Sequence, residues 1–242
     1  MLYGENDMKK PEIICHMLIS LDGKVTGSFL FRPECEAATE EYYRINRDFG
    51  ADGFICGRVT MEGSFTAGYF PDLAEYEPIN SADDYLPPDG NRFFAVAFDP
   101  SGKLGWKNNV IVDDDPGYGG ARIIEVLTEK TDPRYLGYLQ SLEIPYVFGG
   151  KTEIDIPLVL DKIAAAYSVE TLLLEGGSII NGYFQEAGVI DKISLVSVPV
   201  VADSESKPLF YNSVIENYEL TEASPLCGSS LWLRYTRKTT KA

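Results

Sequence analysis

Two hydrophobic rhythms alternate along this chain: short unbroken apolar runs closed by Asp, Gly, Pro or Asn, and longer stretches where apolar residues recur every three or four positions. Glu12 to Ile19 reads as a buried strand ending in Ser20-Leu21-Asp22-Gly23-Lys24, where Asp-Gly marks a turn. A helix is predicted from about Pro33 to Phe49, with Ala38, Tyr42, Ile45 and Phe49 at helical spacing and acids crowding its first turn, as the helix dipole favours. Phe54 to Cys56 is a second strand, and Gly57-Arg58-Val59-Thr60 opens a second helix. Residues 67–91, rich in Pro, Asp, Tyr and Gly, follow neither rhythm and read as one long surface loop.

Beyond that loop, Phe93 to Phe98 and Val110 to Val112 are predicted strands, followed by an acidic, glycine-rich turn from Asp113 to Gly120. The strand Arg122 to Leu127, a helix from about Pro133 to Leu142 and the strand Tyr146 to Phe148 make one β-α-β unit. A helix from Ile156 to Tyr167, the strand Thr171 to Leu174 and a helix from Ser178 to Ala187 continue the alternation. Such alternation implies a largely parallel sheet covered on both faces. Lys192 to Val200 and Leu231 to Thr236 are strand-like with no helix between them, the pattern of an antiparallel edge. Nothing divides the chain, so residues 1–242 are expected to form one domain.

With 45% hydrophobic and 12% aromatic residues among 242, the chain can bury a large core. The longest apolar runs fall far short of the roughly 20 residues that span a bilayer, and Met1 to Lys10 is polar, so a cytoplasmic protein is expected. A net charge of -16 with only 21 Lys and Arg speaks against nucleic acid and against acidic membrane surfaces. An anionic ligand would have to be held by local means: helix amino termini, glycine-corner amides and single arginines.

Cys15, Cys35, Cys56 and Cys227 are scattered without a C-x-x-C pair and read as reduced thiols. The one histidine, His16, lies in a strand beside Cys15, and adjacent strand residues point to opposite faces, so the two cannot share a metal. No metal site is expected, and His16 reads as a satisfied core residue.

Ligands of α/β sheets bind beyond the carboxyl ends of the strands. Three polar, glycine-bearing segments fall at such ends: Ser20 to Lys24, Gly57 to Ser64 and Glu175 to Asn181. They are expected to converge on one cleft. Glu175-Gly176-Gly177-Ser178 is a strand-to-helix corner, which serves a tight turn or brings backbone amides to a phosphate. Arg58 offers a planar fork to a phosphate or is a solvated surface residue, and Thr60 is a helix cap whose hydroxyl also reaches outward. G-x-G-x-x-G is absent, which excludes the ordinary Rossmann route to a dinucleotide.

These segments, with Ala51-Asp52-Gly53-Phe54-Ile55-Cys56 before Gly57 and Gly188-Val189-Ile190-Asp191-Lys192-Ile193 and Pro199 after the corner, resemble the reductase domain of the bifunctional riboflavin-biosynthesis deaminase/reductase. Gly57 to Ser64 also resembles the G-R-x-T-x-x-S segment of dihydrofolate reductase, which shares that fold. The resemblance implies a dihydrofolate-reductase-like three-layer α/β/α fold, with a mixed, mostly parallel central sheet and antiparallel C-terminal strands. It implies NADPH as hydride donor, a small-molecule substrate and a homodimer. By position, Leu18 would contact the cofactor through its backbone. Gly57, Arg58 and Thr60 would hold the adenosine phosphate side, Ser64 would also contact the cofactor, and Gly176, Gly177, Ser178 and Ile179 would take the pyrophosphate. Lys24 and Glu175 would face the substrate, and Asp22 is read as orienting Lys24.

The resemblance is broken in places. No deaminase segment is present, so a stand-alone reductase is expected, with residues 67–91 as a loop insertion. The substrate-phosphate arginine of the family should lie four residues before Asp52, where Asp48 stands, with Arg47 one residue off. Glu34 or Glu36 stands near the pterin-recognising acid of dihydrofolate reductase, out of register. The reading is an NADPH-dependent reductase of a small pyrimidine- or pteridine-like heterocycle. Dihydrofolate reductase proper and a catalytically silent NADPH-binding protein are the alternatives.

Overall fold

The computed structural model describes residues 10–238. Of the polar segment Met1 to Lys10, all but Lys10 lies outside the described residues. One sheet contains β1 (Glu12–Ile19), β2 (Gly53–Gly57), β3 (Phe94–Phe98), β4 (Arg122–Leu127), β5 (Tyr146–Phe148), β6 (Thr171–Leu174), β7 (Lys192–Ser197), β8 (Tyr218–Pro225) and β9 (Leu231–Arg237), in the order β5-β4-β3-β2-β6-β1-β7-β9-β8. Pairing is parallel from β5 through β7, and β9 and β8 close that side antiparallel. All residues of β3 and β4 are buried, because helices or loops cover both faces of the parallel part.

The helices are α1 (Pro33–Asp48), α2 (Arg58–Met61), α3 (Pro133–Ser141), α4 (Ile156–Tyr167) and α5 (Ser178–Glu186). Asp132 and Asp155 cap α3 and α4 by accepting from the Arg134 and Leu158 amides, and a proline in each first turn costs no hydrogen bond. The apolar sides of α4 and α5 pack on one face of the sheet against Cys15, Met17, Leu172 and Leu174. On the other face α3 packs against Phe54, Ile123 and Leu173, and α1 against Leu18 and Val196. This is the three-layer α/β/α arrangement with antiparallel C-terminal strands. Among the described residues, no helix is long and apolar enough to cross a membrane.

Several boundaries differ from the sequence reading. Val110 to Val112 is no strand; only an isolated bridge joins Val110 to Arg122, at the foot of the hairpin that carries the acidic turn. β7 ends at Ser197, three residues short of Val200. Strand β8 was not foreseen, because YELTEASP on an exposed edge has no apolar run to announce it. Residues 67–91 contain a single 3-10 turn, Leu73–Glu75, yet Leu73, Tyr76, Ile79 and Tyr85 pack against the core that α3 covers.

The connections create the site. β6 sits between β1 and β2, and its following helix α5 crosses one face while α1 and α2, which follow β1 and β2, cross the other. Loops leaving to opposite faces open a crevice at the carboxyl ends of β1, β6 and β2.

Candidate active site

The crevice is a split in the sheet. β1 pairs with β6 only up to Cys15 opposite Leu174, whereas its pairing with β7 continues to Ile19 opposite Ser197. β6 meanwhile turns toward β2: the Glu175 amide donates to the Ile55 carbonyl at 2.9 Å and the Gly57 amide to the Gly176 carbonyl at 2.8 Å. Along β1, Glu12 donates toward Glu170 on the β6 side, while the Ile13 and Ile19 carbonyls accept from Asp191 and Val198 on the β7 side. Peptide groups alternate sides along a strand, so those of Leu18 point into the split, beyond the end of β6 pairing.

On the far wall stands the glycine corner. Gly176 and Gly177 both have positive φ, +102° and +37°, which a side chain would strain. Gly177 is the amino-terminal cap of α5 and brings no side-chain cap, so the first amides of α5 are left for another acceptor. A Cβ at Gly177 would stand 3.3 Å from Thr60 Oγ1, which places that hydroxyl beside the corner. Ser178 is 2% exposed and its hydroxyl has no partner. Uncapped amides, one neighbouring hydroxyl and one orphaned buried hydroxyl suit a phosphate-bearing ligand.

Glu175 precedes the corner and is buried on the α1 side of the sheet. Its Oε1 accepts from the Tyr42 hydroxyl at 2.9 Å and from Asn46 Nδ2 at 2.8 Å, while Oε2 is buried without a partner. Burial raises the Glu175 carboxyl to about 7, and the donors of Asn46, Tyr42 and Tyr118 limit the rise. A carboxyl that exchanges its proton near neutrality, with one oxygen free, can hold a polar ring edge or pass a proton. Sequence reasoning missed its partners. Tyr42 and Asn46 are one helical turn apart, and a buried asparagine in the core-facing stripe of α1 was the available signal.

The remaining expected residues are placed as follows. Gly57 caps α2, so Thr60 lies inside that helix and is not its cap. Arg58 forms an ion pair with Glu62 at 2.7 Å, one turn along. Ser64 stands four residues after Thr60, one more than T-x-x-S requires. The excess lies in a π turn, Glu62–Thr66, where the Ala67 amide donates to Glu62. Ile179 is half-exposed on the first turn of α5.

The Ser20 to Lys24 turn joins the corner indirectly. Leu209 donates to Gly23, its carbonyl accepts from the Asn181 amide, and Tyr211 donates to Ser178, so a segment unnoticed in the sequence bridges the turn and α5. Asp22 accepts from the Ser20 hydroxyl at 2.7 Å and from the Ala202 amide at 2.9 Å. Those bonds hold its carboxyl below the usual range and tie it to the turn rather than to Lys24. No hydrogen bond or ion pair joins Lys24 to Glu175 among the described residues. Arg47 pairs with Asp115, Asp48 with Arg44, and Glu34 with Arg32.

His16 is fully buried. Its Nδ1 lies 3.0 Å from Ser194 Oγ, its Nε2 3.1 Å from the Tyr42 carbonyl, and its ring stacks on Tyr42 at 4.3 Å. Burial lowers it to about 4, so it is neutral and occupied. All four cysteines are free thiols, Cys227 alone being exposed.

Fold and site together define a three-layer α/β/α protein with its crevice at the split between β1 and β6. The family model of the RibD C-terminal domain matches residues 11–227, and the chain belongs to that family, as the resemblance implied. No curated protein matches. Among solved structures, a pyrimidine reductase-like protein of Corynebacterium diphtheriae is similar at a TM-score of 0.67 and 16% identity, over 95% of this chain and 93% of that one. Acinetobacter baumannii RibD follows at 0.61 and 15%, over 95% of this chain and 58% of its own, so this chain spans little more than half of that protein. The riboflavin biosynthesis reductase Rib7 of Saccharomyces cerevisiae gives 0.57 and 14%, over 98% and 93%. At these identities the likeness is one of fold.

Proposed function

We propose that the protein is an NADPH-dependent reductase that delivers hydride to a small, flat, polar heterocycle of the pyrimidine or pteridine kind. The observation that carries the reading is the split between β1 and β6, with Leu18 peptide groups on one wall and the uncapped α5 corner beside the half-titrated Glu175 on the other. Family membership and the reductases among the similar folds support it. A homodimer is the assembly proposed with it, read out by light scattering.

NADPH, when bound, supplies the hydride. The α5 amides with Thr60 and Ser178 would hold its pyrophosphate, and Leu18 would fix the nicotinamide by its backbone. Arg58 reaches a 2′-phosphate by leaving Glu62, trading one charge partner for another. Glu175 holds the ring edge of the substrate through Oε2 and is poised to give up or take a proton there. The exposed turn at Lys24 offers an ammonium to anionic substituents. Asp48, in place of an arginine, is paired with Arg44, and Arg47 is engaged with Asp115.

The test is a thermal-shift and turnover screen of NADPH and NADH, alone and with pteridines, dihydrofolate and the ribosylamino-pyrimidine. Stabilisation by NADPH with oxidation in the presence of one heterocycle supports the reading. Turnover with dihydrofolate would make the protein a dihydrofolate reductase, and binding without any turnover would make it a silent binder.

A further inference from the structure

Tyr118 sits where a substrate ring would meet Glu175. Its ring lies edge-on to Phe54 at 5.1 Å and to Tyr43 at 6.0 Å, and tilted against Phe65 at 6.0 Å. Gly117, next to Tyr118 in the chain, lies against Asn46, which donates to Glu175. A flat ring walled by aromatics, with its polar edge on a buried carboxyl, is how a protein holds an aromatic heterocycle. The phenol fills that slot from within the chain.

The residue comes from the tip of a hairpin rather than from the sheet or a helix. The hairpin is closed at its foot by the Ile111 amide on the Ala121 carbonyl and the Gly120 amide on the Ile111 carbonyl, at 2.8 and 2.9 Å. Asp113 and Asp115 fold the tip on itself by accepting from the Asp115 and Gly117 amides. The tip therefore carries its own hydrogen bonds and can move as a unit about its foot, where Gly120 has φ +80°.

Two contacts latch it to α1. Arg47 and Asp115 pair at 2.7 Å on the surface. Gly117 lies so close to Asn46 that a Cβ there would come within 2.4 Å of Asn46 Oδ1. The latch thus bears on the helix that holds Glu175.

We propose that the hairpin tip 113–119 is a substrate-displaced plug: Tyr118 occupies the ring slot in front of Glu175, and a flat ring with N–H or O–H donors on its edge enters by pushing the tip out. The proposal rests on the reading of Glu175 as the substrate-facing group. With the tip in place Glu175 Oε2 is buried without a partner, so a ring whose edge donates there makes a hydrogen bond that the closed tip does not. The plug also selects ligands able both to replace the ring packing and to donate to Oε2.

Pterin, a fluorescent flat ring with edge donors, is the probe. Its affinity is measured for wild type, Tyr118→Phe, Tyr118→Ala and Gly117→Ala, with NADPH affinity measured separately on each. Plugging predicts that Tyr118→Ala binds pterin at least tenfold tighter than wild type and that Tyr118→Phe lies between. Gly117→Ala, which keeps the ring and pushes the tip off Asn46, also binds tighter. Pterin affinity unchanged or weakened in both Tyr118→Ala and Gly117→Ala overturns the plug and makes Tyr118 a fixed wall. Should Tyr118→Ala fail to fold, Gly117→Ala alone decides. Absence of NADPH binding across all four proteins would strike the cofactor reading and leave the pterin comparison standing.

Discussion

Asn46 and Glu175, 129 positions apart in the chain, meet through a 2.8 Å hydrogen bond that fixes a buried carboxyl against α1. The bond sets which oxygen of Glu175 is engaged and which is left for a ligand. Replacing Asn46 by Leu keeps the size and removes the donor. The ionised carboxylate then loses about 1–3 kcal/mol of support. Urea unfolding is expected to show that loss at pH 8, where Glu175 is largely ionised, and a smaller one at pH 5, where it is protonated.

Glu175 also makes stability depend on pH. Its carboxyl titrates near 4.5 unfolded and at about 7 folded, so the raised folded value favours the protonated native state. The contribution is full below about 4.5, declines as pH rises, and is gone above about 7. The change amounts to about 3 kcal/mol between pH 4.5 and 8. The stability of wild type relative to Glu175→Gln, measured by urea unfolding, is expected to fall by that order across the window. A flat difference would mean that Glu175 titrates normally.

Arg58 should discriminate between cofactors. Removing it by Arg58→Ala is expected to weaken NADPH by about 1.5–3 kcal/mol and NADH much less, since only the former carries the extra phosphate. Glu62→Gln, which releases Arg58 from its ion pair, should instead tighten NADPH. Equal effects on both cofactors in a calorimetric titration would remove Arg58 from the phosphate site.

His16 should stay neutral through the range where histidines ordinarily charge. Burial depresses it to about 4, so it contributes stability that is present above about 6.5 and lost as pH falls toward 4. Its ring carbon protons, followed by NMR, are expected to show no titration between pH 8 and 5.5. A midpoint near 6.5 would mean that the ring is not buried as described.

The layers and the parallel sheet were legible because buried strands and amphipathic helices write their periods into sequence; β1, β4 and α4 begin and end where the pattern places them. β8 was not, because an exposed edge strand carries no such period. The glycine corner at Gly176 and Gly177 was legible as a tight strand-to-helix turn, whereas its setting was not. That β1 parts from β6 after Cys15 depends on strand order, which no local pattern encodes. Tyr42, Asn46 and Tyr118 went unseen around Glu175 because they come from a helix and a hairpin distant in sequence. The Arg58 to Glu62 pair was readable as an i, i+4 spacing.

The central claim is that the corner at Gly177 seats the pyrophosphate of a nicotinamide dinucleotide, and an NADPH fluorescence titration of wild type beside Gly177→Val tests it most directly. A valine there would crowd Thr60 Oγ1 and the path to the first α5 amides. Saturable binding by wild type and its loss in a Gly177→Val protein with wild-type circular dichroism is the expected result. Wild type that does not bind NADPH, or a folded variant that binds it equally well, would contradict the account.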